Sequence, residues 1–166
     1  MKSILYRLPD IMPYAVSKLS KSCLMYSATA VCILLAKWWH IKLGKNCVFY
    51  GIPLFHKHPT GKITIGDGCI FRSAEWSNSI GLNRRCFINA GRDAEIIIGS
   101  NSGFSATVIS ATESIKIGNN VLCGANCTIC DDDRHPINAY ERHKNLPGQS
   151  APIIIEDDVF LGMNTV

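Results

Sequence analysis

The chain has 166 residues, 47% hydrophobic and 18% charged, which is enough for one domain with a buried core. Its formal net charge is +4, but residues 1–45 hold seven Lys/Arg against one acid, while the remainder has ten basic and twelve acidic residues. Because the basic residues lie in the most apolar segment and form no stripe with aromatic platforms, the pattern argues against a nucleic-acid-binding domain and favours an anionic membrane surface.

The first segment, residues 1–45, is predicted to be basic, apolar and helical. Its uncharged run, 22–36, has 15 residues. A helix of that length is about 22 Å long and falls short of the roughly 30 Å hydrocarbon core, so we do not expect it to span a membrane. Two interpretations stay open. The helix lies in the membrane interface, with lysines at lipid phosphates and Trp38 and Trp39 at headgroup depth, or it packs on the rest of the protein or on a neighbouring subunit.

The chain contains eight cysteines. A disulfide framework needs a secretory context, but Pro9, Asp10 and Pro13 interrupt the place where the apolar part of a signal peptide would lie. We therefore expect a cytoplasmic protein with free thiols, located at the inner face of the cytoplasmic membrane if the first segment binds lipid.

From about residue 61 a short phrase recurs: a β-branched residue, Gly or an acid, polar turn residues, then a small or apolar residue. It occurs at 65–69 (IGDGC), 98–102 (IGSNS), 117–121 (IGNNV) and 155–159 (IEDDV), and it continues in steps of six. A period of six is incompatible with an amphipathic helix, whose apolar stripe recurs every 3.6 residues.

The period of six predicts a solenoid over residues 46–166. In each hexad the first residue points into the core, the fifth is small to fit a corner, and Gly or Asn at the turn tolerates positive φ. Three hexads close one triangular coil of about eighteen residues, and successive coils pair as parallel strands. The step from Ile117 to Ile155 is 38 residues, which leaves a protruding loop that we place at about 131–151.

Several cysteines fit this repeat as packing residues. Cys123 occupies a first position, and Cys69 and Cys127 occupy fifth positions, where a small apolar side chain suits the corner. Cys123, Cys127, Cys130 and His135 are also ligand types that zinc prefers. Because residues four apart in such a solenoid lie on different faces, we expect packing and no metal.

The hexads are followed by an Asp-rich turn, His-Pro-Ile, a loop with Glu and Arg, and the run PIIIEDDVFLG at 152–162. From about residue 61 to residue 166 the chain resembles the hexapeptide-repeat acyltransferases, in the maltose, galactoside and colanic-acid O-acetyltransferase branch. The resemblance implies a mainly β fold, a left-handed parallel β-helix, and a homotrimer. It also implies transfer of an acetyl group from acetyl-CoA to a hydroxyl of a sugar or surface-polysaccharide precursor.

The resemblance assigns the role of general base to His135. An unperturbed imidazole, with a pKa of about 6.5, is suited to take the proton of a sugar hydroxyl as its oxygen attacks a thioester. An acceptor should hold one ring nitrogen so that the other is presented unprotonated. Asp131, Asp133 and Glu141 are the candidates, and the sequence does not choose among them. Direct transfer is the pattern of the family, although Cys130 raises a covalent route.

Substrate contacts are also carried over from the resemblance. Arg142 matches a recurrent arginine of the family's loop, as a substrate contact or as part of a structural ion pair. The asparagine that contacts the acceptor sugar in the galactoside and maltose enzymes is replaced here by a stretch in which Ser102 and Ser105 are the candidates. The candidates for the pantetheine arm of CoA, each of which also fits a packing role, are Phe160, Gly162, Met163 and Thr165.

Relatives of this kind normally continue for two or three coils beyond the position of Val166, so we expect either a truncated form with poor affinity for CoA or a partner that caps the last strand. Two alternatives to an active acetyltransferase stay open. One is a non-catalytic scaffold. The other is a metalloenzyme similar to γ-carbonic anhydrases, which need three histidines converging between subunits. The five histidines here, which lack that placement, are His40, His56, His58, His135 and His143.

Overall fold

The computed structural model describes residues 8–166, with side chains described from residue 11 onward. A long helix, α1 (Leu8–Trp38), is followed by fourteen short strands, a 3-10 turn (Glu75–Ser77) and a short helix, α2 (Ala139–His143). The chain is therefore mainly β after residue 41, as the repeat predicts.

The strands form three sheets in which neighbouring strands are parallel. Sheet A contains β1 (Lys42–Leu43), β4 (Lys62–Ile65), β7 (Glu95–Ile98), β10 (Ser114–Ile117) and β13 (Ile153–Ile155). Sheet B contains β2 (Val48–Tyr50), β5 (Ile70–Arg72), β8 (Gly103–Ser105), β11 (Leu122–Ala125) and β14 (Phe160–Leu161). Sheet C contains β3 (Leu54–Lys57), β6 (Phe87–Ala90), β9 (Val108–Ala111) and β12 (Thr128–Cys130). Consecutive strands alternate among the sheets, so the chain winds as a three-sided solenoid.

The solenoid begins earlier than the boundary predicted at residue 46. Strand β1, at Lys42–Leu43, already pairs with β4, so the first coil includes the end of the segment assigned to a separate helical unit. The sequence contained the signal, because 43–47 (LGKNC) has the form of the phrase at 65–69 (IGDGC).

The interior is filled by columns of side chains from successive coils. Phe49, Phe71 and Phe104 occupy equivalent positions on sheet B, and their rings stack with centroids 5.1 Å apart at both steps. Cys123 continues the column one coil higher and is buried. The register of parallel strands therefore repeats core contacts from coil to coil, and the first position of the hexad points inward as predicted.

One corner of the solenoid requires a left-handed backbone conformation at every coil. On the five coils Asn46, Gly68, Asn101, Asn120 and Asp158 have φ values of 57°, 68°, 59°, 55° and 60°. Glycine and asparagine adopt this region most readily, which explains their recurrence at the fourth position of the phrase. The predicted turn chemistry is confirmed at this corner.

A second insertion, residues 73–86, was not predicted. Ile65 and Ile98 are register partners on neighbouring coils although they are 33 residues apart in sequence. The additional residues form the 3-10 turn and a loop at the corner between sheets B and C. The long step between the two isoleucines was the available signal.

Helix α1 covers the outer edge of the first coil. Ala28, Cys32 and Ala36, spaced four residues apart, are buried against it, and their small side chains permit a close approach. The backbone N–H of Phe49, on edge strand β2, donates to Thr29 Oγ1 at 3.0 Å. The helix thus occupies a sheet edge that would otherwise be open to pairing.

All eight cysteines are free thiols. Cys69, Cys123 and Cys127 are buried in the solenoid, as the packing interpretation predicts. Burial raises the pKa of the Cys123 thiol to about 12, so this group stays protonated at neutral pH. Within residues 8–166, no group of three or more His, Cys, Asp or Glu side chains is arranged to hold a metal ion.

Candidate active site

The loop that contains His135 leaves the solenoid after β12 and returns at β13. Its two ends pair with each other: the N–H of Asp133 donates to the carbonyl of Gln149 at 3.0 Å, and the N–H of Ala151 donates to the carbonyl of Asp131 at 3.0 Å. An antiparallel bridge joins the residues between them. The base of the loop is therefore closed.

Asp131 supports the solenoid at the point where the loop departs. Its side chain is buried, and its two carboxylate oxygens accept hydrogen bonds from the N–H groups of Thr112, Glu113 and Ser114 at 2.6, 2.8 and 2.8 Å. These donors belong to the turn of the preceding coil. The carboxylate is thus engaged by the backbone of this turn, and no hydrogen bond joins it to the His135 imidazole in the described part of the chain.

A network of side chains ties the start of the loop to sheet C. The Arg134 guanidinium forms an ion pair with Asp132 (Nε to Oδ1, 3.1 Å) and donates to Ser110 Oγ at 2.6 Å on the coil below. Asp132 also accepts from the Cys130 thiol at 3.0 Å and from the Thr112 hydroxyl at 2.9 Å. Partial burial opposes ionisation of Asp132, but the hydrogen bonds from Cys130 and Thr112 and the Arg134 charge outweigh it and lower its pKa.

His135 stands directly above this closed base with its side chain exposed. The residue before it, Arg134, has a φ of 59°, and Pro136 after it is buried. A Cβ added at Gly148 would lie 3.0 Å from the backbone nitrogens of both Arg134 and His135, so the returning chain passes closely over this peptide. The backbone at His135 is held on both sides while its imidazole points away from the core.

The remaining part of the loop is held by Arg142. Helix α2 is capped by Asn138, whose side chain accepts from the N–H of Tyr140 at 2.9 Å. From this helix the Arg142 guanidinium donates to the backbone carbonyls of Pro136, at 2.9 Å, and Ile137. The arginine therefore secures the segment that follows His135 through backbone carbonyls, and within residues 11–166 it forms no ion pair of the kind predicted as its structural role.

Asp133 and Glu141, the other acids predicted to orient the base, are exposed. Among residues 11–166, no hydrogen bond joins either carboxylate, or any other group, to the imidazole of His135. The orienting acceptor expected from the sequence is thus absent from the described part of the chain.

A polar column on the outer face of sheet C extends from this network to the first coil. His56, Asn89, Ser110 and Cys130 are register partners on four successive strands. Asn89 Nδ2 donates to Ser110 Oγ at 2.9 Å, and His56 Nδ1 lies 2.7 Å from Asn89 Oδ1. Because a carboxamide oxygen only accepts, the hydrogen bond to Asn89 is donated by His56 Nδ1. Asn89 and Ser110 were not predicted as site residues, and His56 and Cys130 were considered only in other roles, because outward-facing positions carry no periodic signal that links them.

The serines predicted to bind the acceptor differ in accessibility. Ser102 is fully buried: its hydroxyl donates to the carbonyl of Gly118 at 3.1 Å and accepts from the N–H of Val121 at 3.0 Å. A substrate cannot reach it in this structure, so its observed role is within the coil. Ser105 is half-buried at the end of β8.

The residues predicted to contact CoA lie on the fifth coil. Phe160 is 71% exposed at the start of β14, and Met163 is also exposed. Gly162 and Thr165 are half-buried, and the Thr165 hydroxyl donates to the carbonyl of Gly162 at 2.8 Å. A separate cavity of about 310 Å³ lies at the loop base and is lined mainly by Cys130, the three aspartates and residues 149–151.

Comparisons with known proteins add little to this description. No protein-family model matches the chain, and no curated protein matches it. Among solved structures, serine acetyltransferase isoform 3 from Entamoeba histolytica, crystallised in complex with cysteine, is 15% identical to the chain and aligns with a TM-score of 0.25. The alignment covers 84% of this chain and 40% of that one. A likeness of this strength carries no argument about activity.

Proposed function

We propose that this chain is an acyltransferase of the hexapeptide-repeat type, built on a left-handed parallel β-helix. It transfers an acetyl group from acetyl-CoA to a hydroxyl of a sugar or surface-polysaccharide precursor, with His135 as general base. The observation that carries the proposal is the position of this histidine, exposed on a rigid support at the base of a loop that leaves a parallel solenoid. The motif resemblance over residues 61–166 supplies the chemistry.

In the proposed reaction the imidazole takes the proton of the acceptor hydroxyl as its oxygen attacks the thioester carbonyl. The new C–O bond forms, the C–S bond breaks, and the proton passes to the departing CoA thiolate. General-base assistance of this kind contributes about 10²- to 10⁴-fold to the rate. Cys130 is not required, because its thiol is hydrogen-bonded to Asp132 and lies within the network that supports the loop.

Arg134 and Asp132 act as positioning residues in this proposal. They fix the peptide before His135 to the coil below, while Arg142 fixes the peptide after it. The missing acceptor for the imidazole is supplied by a neighbouring subunit of a homotrimer. The pantetheine arm lies along the exposed part of the fifth coil, at Phe160 and Met163, and Ser105 remains the acceptor-binding candidate.

The test measures CoA release by the purified protein from acetyl-CoA in the presence of sugar and glycan acceptors. His135→Ala is expected to lower the rate by about 10² to 10⁴ fold. His56→Ala is the matched control, since it removes an exposed imidazole from the same face of the solenoid. His143→Ala is a second control, because it removes an exposed imidazole from the same loop as His135.

Three outcomes would contradict the proposal in different ways. An unchanged rate in His135→Ala would remove this histidine as the base. A loss in His56→Ala alone would transfer the role to the imidazole whose Nδ1 is already held by Asn89. No acceptor-dependent CoA release from the unaltered protein would favour a non-catalytic scaffold.

A further inference from the structure

The uncharged part of helix α1, residues 22–36, has apolar side chains on all sides, but only part of the helix is covered by the protein. Residues 11–21 are all exposed, and burial against the solenoid begins at Ala28. The side facing away from the solenoid is exposed and mostly apolar, with Ser27 and Lys37 as its polar members; the apolar members are Met12, Val16, Leu19, Cys23, Tyr26, Ala30, Leu34 and Trp38. Helices that are hydrophobic all round are normally buried, so this surface is expected to have a further cover.

The charge around this helix indicates the chemistry of the partner that binds its exposed apolar side. Residues 11–66 contain seven lysines and no aspartate or glutamate. The twelve acids that follow residue 10 all lie within 67–166, alongside eight basic residues. The solenoid is therefore positive at the end that carries α1 and negative toward the candidate active site. A surface complementary to the α1 end is both apolar and anionic.

Two apolar grooves open beside α1, and each carries cations. One, of about 410 Å³, lies between the helix and the insertion at 73–86 and is lined by Leu24, Val31, Trp76 and Arg85. The other, of about 420 Å³, lies on the opposite side of the helix and includes Lys37 and Lys45. Among residues 11–166, Arg85 has no side-chain hydrogen bond or ion pair. Cations beside apolar grooves suit amphiphiles with an acidic headgroup.

We propose that α1 and the lysine-rich end of the solenoid dock on an anionic phospholipid bilayer. The helix lies in the interface, with its exposed apolar side among the acyl chains and Lys18 and Lys21 at the headgroups. A spanning orientation is disfavoured because one side of the helix, at Ala28, Cys32 and Ala36, is packed on the solenoid, although Ile11–Trp38 is long and apolar enough to cross a membrane. The candidate active site then stands about 14 Å, three inter-strand spacings, above the first coil. This inference does not depend on the proposed enzymatic activity.

Vesicle flotation tests the proposal directly. The full chain is expected to float with phosphatidylglycerol-containing vesicles, less with pure phosphatidylcholine, and less as salt increases, since screening weakens exposed charge interactions. Leu34→Glu, at a residue 66% exposed, is expected to weaken partitioning at least about tenfold. Ile154→Glu is the matched control, because Ile154 is 65% exposed but lies on β13, at the end of sheet A opposite the first coil.

A second pair of variants tests the electrostatic part. Lys18→Gln with Lys21→Gln is expected to weaken binding to anionic vesicles about 25-fold, at roughly fivefold per lysine near an anionic surface. Arg92→Gln with Lys116→Gln removes the same charge from the solenoid and should have little effect. Thermal unfolding by circular dichroism verifies that each variant is folded.

Several results would overturn the proposal. Flotation that is equal on neutral and anionic vesicles, or absent on both, would contradict an anionic bilayer as the partner. Resistance to extraction by alkaline carbonate would indicate a spanning helix. Leu34→Glu that dissociates an oligomer in light scattering, with vesicle binding unchanged, would show that a second copy of the chain covers α1.

Discussion

The role of Asp131 can be tested by comparing it with its near neighbour Asp133. In the structure Asp131 is 5% exposed and accepts three backbone hydrogen bonds, whereas Asp133 is exposed. If Asp131 supports the solenoid turn, Asp131→Ala will lower the free energy of unfolding, and Asp133→Ala will not. The two changes delete the same chemical group from sites two residues apart.

The magnitude follows from the number of donors left without a partner. A hydrogen bond to a charged group contributes about 1.5 to 3 kcal/mol. Two of the three donors belong to the exposed residues Thr112 and Glu113, which water can reach after the carboxylate is removed. We therefore expect a net loss of about 3 kcal/mol for Asp131→Ala and less than about 0.5 kcal/mol for Asp133→Ala.

Urea denaturation followed by circular dichroism measures the difference. With an m value of about 2 kcal/mol/M, the expected loss lowers the midpoint for Asp131→Ala by about 1.5 M. Equal midpoints for the two variants would refute the structural role. A loss of acetyl transfer in Asp131→Ala without a change in its midpoint would restore the earlier expectation that this acid orients the base.

Three further predictions concern the core and the loop. Phe71→Ala removes the middle ring of the stacked column and should lower the free energy of unfolding by about 3 to 5 kcal/mol. Phe160→Ala removes an exposed ring and should lower it little. Equal urea midpoints for the two variants would contradict the packing of the column. Gly148→Ala places a Cβ 3.0 Å from the Arg134 nitrogen, which should displace the returning chain and loosen the loop. Limited proteolysis should therefore cut the loop faster than in the unaltered protein. An unchanged rate of cutting would mean that the backbone accommodates the methyl group at no cost. Because the pKa of Asp132 is lowered from its ordinary value of 3.8, its contribution to loop order is present above that value and is lost as pH falls below it. Hydrogen exchange across the loop, corrected for intrinsic rates, should therefore be constant from neutral pH to about 5 and rise below about 4; a rise already near neutral pH would contradict this assignment.

The prediction of the loop residues was incomplete because their partners come from other coils. His135 and Arg142 were selected from the motif, but the residue that ties the loop down, Arg134, was not. Its acceptor, Ser110, is 24 residues earlier in the chain and becomes a neighbour only because β9 and β12 pair in register. No local pattern encodes such a contact.

The start of the first coil was placed too late for a different reason. The phrase at 43–47 has the same form as the later ones, but it follows the apolar helix directly, and the next phrase begins 22 residues later, at residue 65, instead of after about eighteen. Helix α1 shows the same limit of local patterns. Because its uncharged part, residues 22–36, has apolar side chains on every side, the sequence does not indicate which side packs on the solenoid, and the small residues 28, 32 and 36 were recognisable as the contact only once the fold was known.

The solenoid, its corner turns and the protruding loop were predictable from the order of the amino acids, because a period of six gives each position the same environment on every coil. The contacts on the outside of the solenoid became visible only with the fold. Outward side chains interact with residues one coil away, and the number of residues between such partners in the sequence varies with each insertion. The column from His56 to Cys130 and the support beneath His135 are therefore properties of the strand register and are not carried by any segment alone.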